Sequence, residues 1–153
     1  VNMKLVKKIA LGLLVLLVLI QFVPVDRSVP EYDPSQSLTM LTNAPEAIQA
    51  TLKSACNDCH SYETAYPWYS KIAPVSWWIQ DHINEGRGHL NFSIWGEYKP
   101  KKAAHKMEEC AEETGEGKMP MNDYTWMHPE AKLTDTQRSE LISWFETQEK
   151  LMK

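Results

Sequence analysis

Apolar residues run continuously at one end of this chain and recur periodically over the rest. From Ile9 to Val25 the run is broken only by Gly12, Gln21 and Pro24, and Lys4, Lys7 and Lys8 precede it. As a helix, those residues would reach about 25 Å at about 1.5 Å each, enough for a bilayer core. The pattern therefore predicts a transmembrane helix within residues 1–25, with the lysine end in the cytoplasm. The exit, Phe22-Val23-Pro24-Val25-Asp26-Arg27, offers no small-residue cleavage site, which favours an uncleaved signal anchor. Residues 26–43 hold Pro30 and Pro34 among Ser, Asp and Thr and show no apolar period, so they are expected to be a linker.

Residues 44–153 show a helical period throughout and no convincing alternation of period two, which predicts an all-α domain. Asn43 and Glu46 have capping-box spacing, with Pro45 in the first turn; Ile48, Leu52 and Ala55 follow on one face. A second helix is expected from about Pro74 to Gly86, with Val75, Trp78, Ile79, His82 and Ile83 as its inner stripe. A third spans about Lys101 to Thr114, aligns Ala103, Met107, Cys110 and Ala111, and ends on Gly115. The last begins at Thr134, with Gln137 as its capping-box partner, and carries Leu141, Trp144, Phe145 and Leu151 inward.

Charge narrows the classes of partner. All 20 acidic residues but only 13 of the 16 Lys and Arg follow residue 25, giving that part a formal charge of −7. This argues against nucleic acid and suits either simple solubility or docking to a basic surface.

The chemistry is concentrated in Cys56-Asn57-Asp58-Cys59-His60. C-x-x-C-H is the attachment sequence of c-type haem. Two thiols at this spacing reach the two vinyl groups of one porphyrin, and the adjacent imidazole reaches the iron. A structural zinc site would need two more ligands, and Cys110 is the only other cysteine. A thioredoxin-like pair would need a βαβ setting, which the helical flanks do not provide. One covalent haem c with His60 as proximal ligand is the expectation. Export behind the apolar run agrees with it, and the six tryptophans and six tyrosines suit a ring that must be walled from water. Cys110, on the inner stripe of the third helix, is expected to be a buried free thiol.

The order of elements resembles a small class I cytochrome c, in which the first and last helices cross beside the haem. Further stretches sharpen the likeness: Tyr66-Pro67-Trp68-Tyr69-Ser70, Ile72-Ala73-Pro74-Val75, Glu85-Gly86-Arg87, Leu90-Asn91-Phe92-Ser93, Met119-Pro120 and His128-Pro129-Glu130-Ala131-Lys132-Leu133 follow the C-x-x-C-H in order. Together with the apolar run ending in Gln21-Phe22, they resemble the bacterial haem-binding domain family of membrane-anchored monohaem c-type proteins. That resemblance implies residues 44–153 as the haem domain, in the periplasm, on a single-pass helix in the inner membrane.

It also implies a sixth ligand. In such cytochromes a Met-Pro loop crosses the far face of the haem, which makes Met119, 59 residues after His60, the first choice. Met121, His82 and His89 are the alternatives, and an open position is another. Related cytochromes use a proline carbonyl to orient the proximal histidine, which points to Pro74. Arg87, Asn91, Trp77, Trp78 and Tyr69 are candidate donors to haem propionates. His105 is expected to be solvated, and His128 to be a cap or loop pin. The leading functional expectation is an electron carrier, not an enzyme, working with redox partner proteins or a respiratory complex. A haem-based sensor or small peroxidase with an open distal site, or a haem subunit of a respiratory complex, are the other readings.

Overall fold

The computed structural model describes residues 2–153, and among them every regular element is helical. Eight α-helices follow in order: α1 Met3–Ile20, α2 Leu38–Leu41, α3 Glu46–Ala55, α4 Asn57–His60, α5 Val75–His89, α6 Pro100–Gly115, α7 Asn122–Met127 and α8 Asp135–Met152. Short 3-10 turns at Trp68–Lys71 and Phe92–Glu97 flank α5. The all-α expectation holds.

The N-terminal helix does not coincide with the apolar run. Residues Met3–Ile20 are helical and none of their side chains is buried. Among the described residues, however, no helix is long and apolar enough to cross a membrane. Three of the 18 residues of α1 are Lys4, Lys7 and Lys8, and the helix stops at Ile20, short of Phe22 and Val23.

Residues 26–43 do not hang loose. Leu38 is fully buried in the main core beside Phe92, Trp95 and Leu52. The Tyr32 ring meets Tyr62 edge-on at 5.2 Å. A single well-placed leucine is enough to dock such a segment, since a buried leucine stabilises by about 2 kcal/mol.

The core is built by α3, α6 and α8. Ile48 and Leu52 from α3, Met107 from α6, and Leu141, Trp144 and Phe145 from α8 converge on one cluster. Ala103 and Ala104 let α6 lie close along α8, the most extensive helix pairing in the domain. The first and last helices of the domain, α3 and α8, also touch. The Thr134–Gln137 capping box forms as the spacing predicts. Leu151 differs from expectation: it is 75% exposed, and Met152 packs on the core instead.

Three other local expectations change. Asn43 does not cap α3; it takes a left-handed φ of 47°, and Pro45 occupies the cap position. The glycine turn after α6 is Gly117, φ 73°, not Gly115, which is the last residue of the helix. Helix α5 runs through Gly86 to His89 and buries Ser76, Gln80 and Ile83. Val75 and Trp78 stay exposed. Polar residues take the inner face because Gln80 is bonded on both sides: it accepts from the Tyr66 hydroxyl at 3.0 Å and donates to Asn84 Oδ1 at 2.9 Å.

Candidate functional site

Helix α3 delivers the chain to Cys56, where the backbone leaves helical geometry before the single turn of α4. The amides of Cys59 and His60 both donate to the Cys56 carbonyl, at 3.2 and 3.0 Å. This turn presents Cys56, Cys59 and His60 together, all half-buried.

The His60 ring is held by main-chain oxygens. Its Nδ1 lies 3.1 Å from the Gly86 carbonyl and 3.2 Å from the Leu90 carbonyl. Both are acceptors only, so Nδ1 carries a proton, and in the neutral ring Nε2 keeps its lone pair. That is the tautomer a metal-binding imidazole requires, with its other nitrogen fixed by a backbone acceptor. The orienting carbonyls therefore come from the end of α5 and not from Pro74. Gly86 is central to the arrangement. A Cβ at this position would sit 2.8 Å from the Cys59 carbonyl oxygen and 3.3 Å from Cys59 Cβ, so only glycine lets α5 approach α4 closely enough. The Glu85-Gly86-Arg87 stretch carried that signal in the sequence, although a helix stop was the simpler reading.

The loop after His60 is pinned by the same region. Arg87 Nε donates to the Ser61 carbonyl and its guanidinium to Thr64 Oγ1, both at 2.8 Å, and its Cζ lies 5.3 Å from the Tyr62 ring centre. The Tyr62 amide donates to Ser93 Oγ at 2.9 Å, and the Ser93 amide to Asn91 Oδ1 at 3.0 Å. Arg87 and Asn91 thus hold the protein's own loops. Tyr69 is likewise engaged within the protein, at 2.6 Å from His128 Nε2, and Trp77 Nε1 faces the Val23 carbonyl at 3.5 Å. Trp78 alone of the five candidate propionate donors has no such engagement of its side chain among the hydrogen bonds of the described residues.

The electrostatics separate the possible chemistries. Burial, then the neighbouring Cys59 thiol, pushes Cys56 up to about 12. Burial, then Asp58, pushes Cys59 up to about 11 against the opposing pull of Arg87. Such thiols stay protonated at neutral pH, the opposite of what thioredoxin-like exchange requires. Among the described residues no group of three or more His, Cys, Asp or Glu could hold a metal ion. Burial also pushes the His60 ring down from its ordinary value, toward the neutral form that ligates iron. Cys110 is half-buried against the core, and burial raises its thiol too.

Met119 lies in the loop between α6 and α7, half-buried. Its amide donates to the Glu113 carbonyl at 3.1 Å, and its own carbonyl accepts from Arg138 at 3.5 Å. Met121 is the N-cap of α7. The connection from this loop back to the cysteine turn was not foreseen: the Tyr124 hydroxyl donates to Asp58 at 2.8 Å, and the Tyr124 ring stacks on His128 at 4.5 Å. His128, also 3.1 Å from Glu130, is a loop pin as expected. His82 is half-buried beside Trp78, 4.6 Å between ring centres, with Nδ1 3.2 Å from the Trp78 carbonyl. His89 and His105 are exposed, and His105 is paired with Glu108 and Glu109.

The residues fit a haem. Two thiols and an imidazole of the right tautomer share one turn, and α5, whose end orients the imidazole, leaves Val75 and Trp78 41% and 51% exposed beside His82. These are apolar side chains that α5 leaves uncovered. A sequence model of the haem-binding domain family matches residues 15–147. The chain belongs to that family, a class of haem proteins. No curated protein and no solved structure matches it.

Proposed function

We propose that this protein is a monohaem c-type electron carrier, with thioethers at Cys56 and Cys59, His60 as proximal ligand and Met119 as sixth ligand. The observation that carries the reading is the His60 ring: two carbonyls accept from Nδ1, so in the neutral ring the lone pair sits on Nε2. Haem held there would supply a one-electron iron couple. The chain's part is to grip and insulate it. Burial pushes His60 toward its neutral form, and Gly86 lets α5 close against the cysteine turn. The Met119 loop is tied to α8 through Arg138, so it has a defined position from which a thioether can be offered. Six-coordinate iron leaves no position for substrate, which is why electron transfer is preferred over peroxidase or sensor chemistry.

Attachment to the inner membrane through the apolar run from Ile9 to Val25, which continues past the end of α1, with the domain in the periplasm, belongs to the same proposal. Its support is the run of exposed apolar side chains from Ile9 to Leu19, with lysines confined to one end. Redox proteins, or a respiratory complex, would be the partners.

The test is a denaturing gel stained for haem together with visible spectra of both redox states. Matured protein should retain its pigment on the gel, and C56A/C59A should lose it. Met119→Ala should remove the weak near-infrared methionine–iron band. Full pigment retention in the double variant would end the covalent reading; an unchanged near-infrared band would transfer the sixth ligand elsewhere.

A further inference from the structure

A cavity of about 150 Å³ lies where the chain leaves α1 and crosses the turn before α5. Its walls are firmly placed. The Gln21 side-chain amide donates to the Ala73 carbonyl and accepts from the Ala73 amide, both at 3.0 Å, as a neighbouring strand would. Arg27 donates to the Ser70 carbonyl, and its Cζ sits 4.6 Å from the Tyr66 ring centre.

The charge inside is one-sided. Of the residues lining the cavity, Arg27 and Lys71 are the ionisable ones, and both are cations; Gln21 and the buried Ser76 add polar edges. Neither cation is ion-paired among the described residues. Arg27 Nε is buried without a hydrogen-bond partner, the one such side-chain atom among the described residues. Asp26 and Asp81 line the adjoining groove, where the Asp26 carboxylate accepts from the Ser28 amide, and neither lines this cavity. Two uncompensated cations and an unused guanidinium donor are unusual in a segment whose formal charge from residue 26 onward is −7.

We propose that this cavity binds an oxyanion of the phosphate class. A guanidinium and an ammonium lining one concave pocket match a tetrahedral anion, which the guanidinium's outer N–H groups and the ammonium can both donate to. The volume admits such a group with accompanying water. The same chemistry has two sources, free phosphate and the headgroup of an anionic phospholipid. The site lies at the exit of α1, so both are within reach. The proposal does not depend on haem or on membrane attachment, since free phosphate alone would satisfy it.

The experiment uses the full haem-loaded chain in detergent, titrated calorimetrically with inorganic phosphate. It is followed by partition into vesicles of phosphatidylcholine with and without phosphatidylglycerol. Lys71→Gln should weaken phosphate binding about tenfold, the loss of one charge-assisted hydrogen bond, with the visible spectrum unchanged. Arg27→Gln should do at least as much; because Arg27 also braces Ser70 and Tyr66, Lys71→Gln is the deciding variant. Phosphate binding that Lys71→Gln weakens supports a soluble anion. A preference for phosphatidylglycerol that Lys71→Gln reduces, without phosphate binding, supports the lipid headgroup. Wild-type and Lys71→Gln protein indistinguishable in both assays overturns the proposal.

Discussion

On the His60 side of the candidate haem site a side chain is held by main-chain carbonyls; on the Met119 side one long side chain reaches across to hold a loop otherwise bonded only to the end of α6. His60 is oriented by Gly86 and Leu90 oxygens at the end of α5, backed by the Arg87 clamp on Ser61 and Thr64. The Met119 loop turns on Gly117 and is tied across to α8 by Arg138, which reaches the Thr114 and Met119 carbonyls. The difference teaches where the two faces are vulnerable. The first depends on how closely two helices approach; the second depends on one guanidinium added to main-chain bonds back to the end of α6.

The largest expected effect tests the close approach. Gly86→Val places a branched side chain where Cβ already meets the Cys59 oxygen at 2.8 Å. Forcing the helices apart should cost about 3 kcal/mol in urea unfolding and lower covalent haem incorporation. Arg87→Met comes next. It removes two hydrogen bonds from a charged donor and should cost about 2 kcal/mol, with faster proteolysis between Ser61 and Thr64. Arg138→Met should cost somewhat less, about 1.5 kcal/mol, because one of its bonds is long. Its distinguishing result is a disturbed methionine–iron band with an unchanged proximal histidine signal. If Arg138→Met disturbed both faces equally, the contrast would fail.

The smallest effect concerns the link between the faces. Burial, and then the bond to Asp58, raises the Tyr124 phenol above its ordinary value of 10.0. A raised folded value means its stabilisation is complete below that pH and is lost as pH climbs toward the folded value. Stability should therefore fall in alkaline solution above about pH 10, and Tyr124→Phe should flatten that slope. At neutral pH the same variant should cost about 1 kcal/mol in thermal unfolding.

Much of this was legible in the sequence, and the failures have physical reasons. Period-3.6 apolar positions gave α3, α6 and α8 and their buried faces, since aliphatic packing decides those helices. Helix α5 misled because its inward face is polar and satisfied through Gln80, while Val75 and Trp78 face outward. The docking of residues 26–43 rests on one leucine and a few side-chain bonds, which leave no periodic trace. The C-x-x-C-H turn could be read outright. The carbonyls that orient its histidine could not, because a backbone acceptor carries no residue signature.

The two groups that receive the imidazole proton belong to the polypeptide itself, and no exchange of side chain at positions 86 or 90 deletes them. Any variant that detunes the ring must instead slide or tilt the final turn of α5 as a unit. Engineering this centre is thus a matter of moving a helix end by fractions of an ångström, with residue 86 as the spacer that sets the distance.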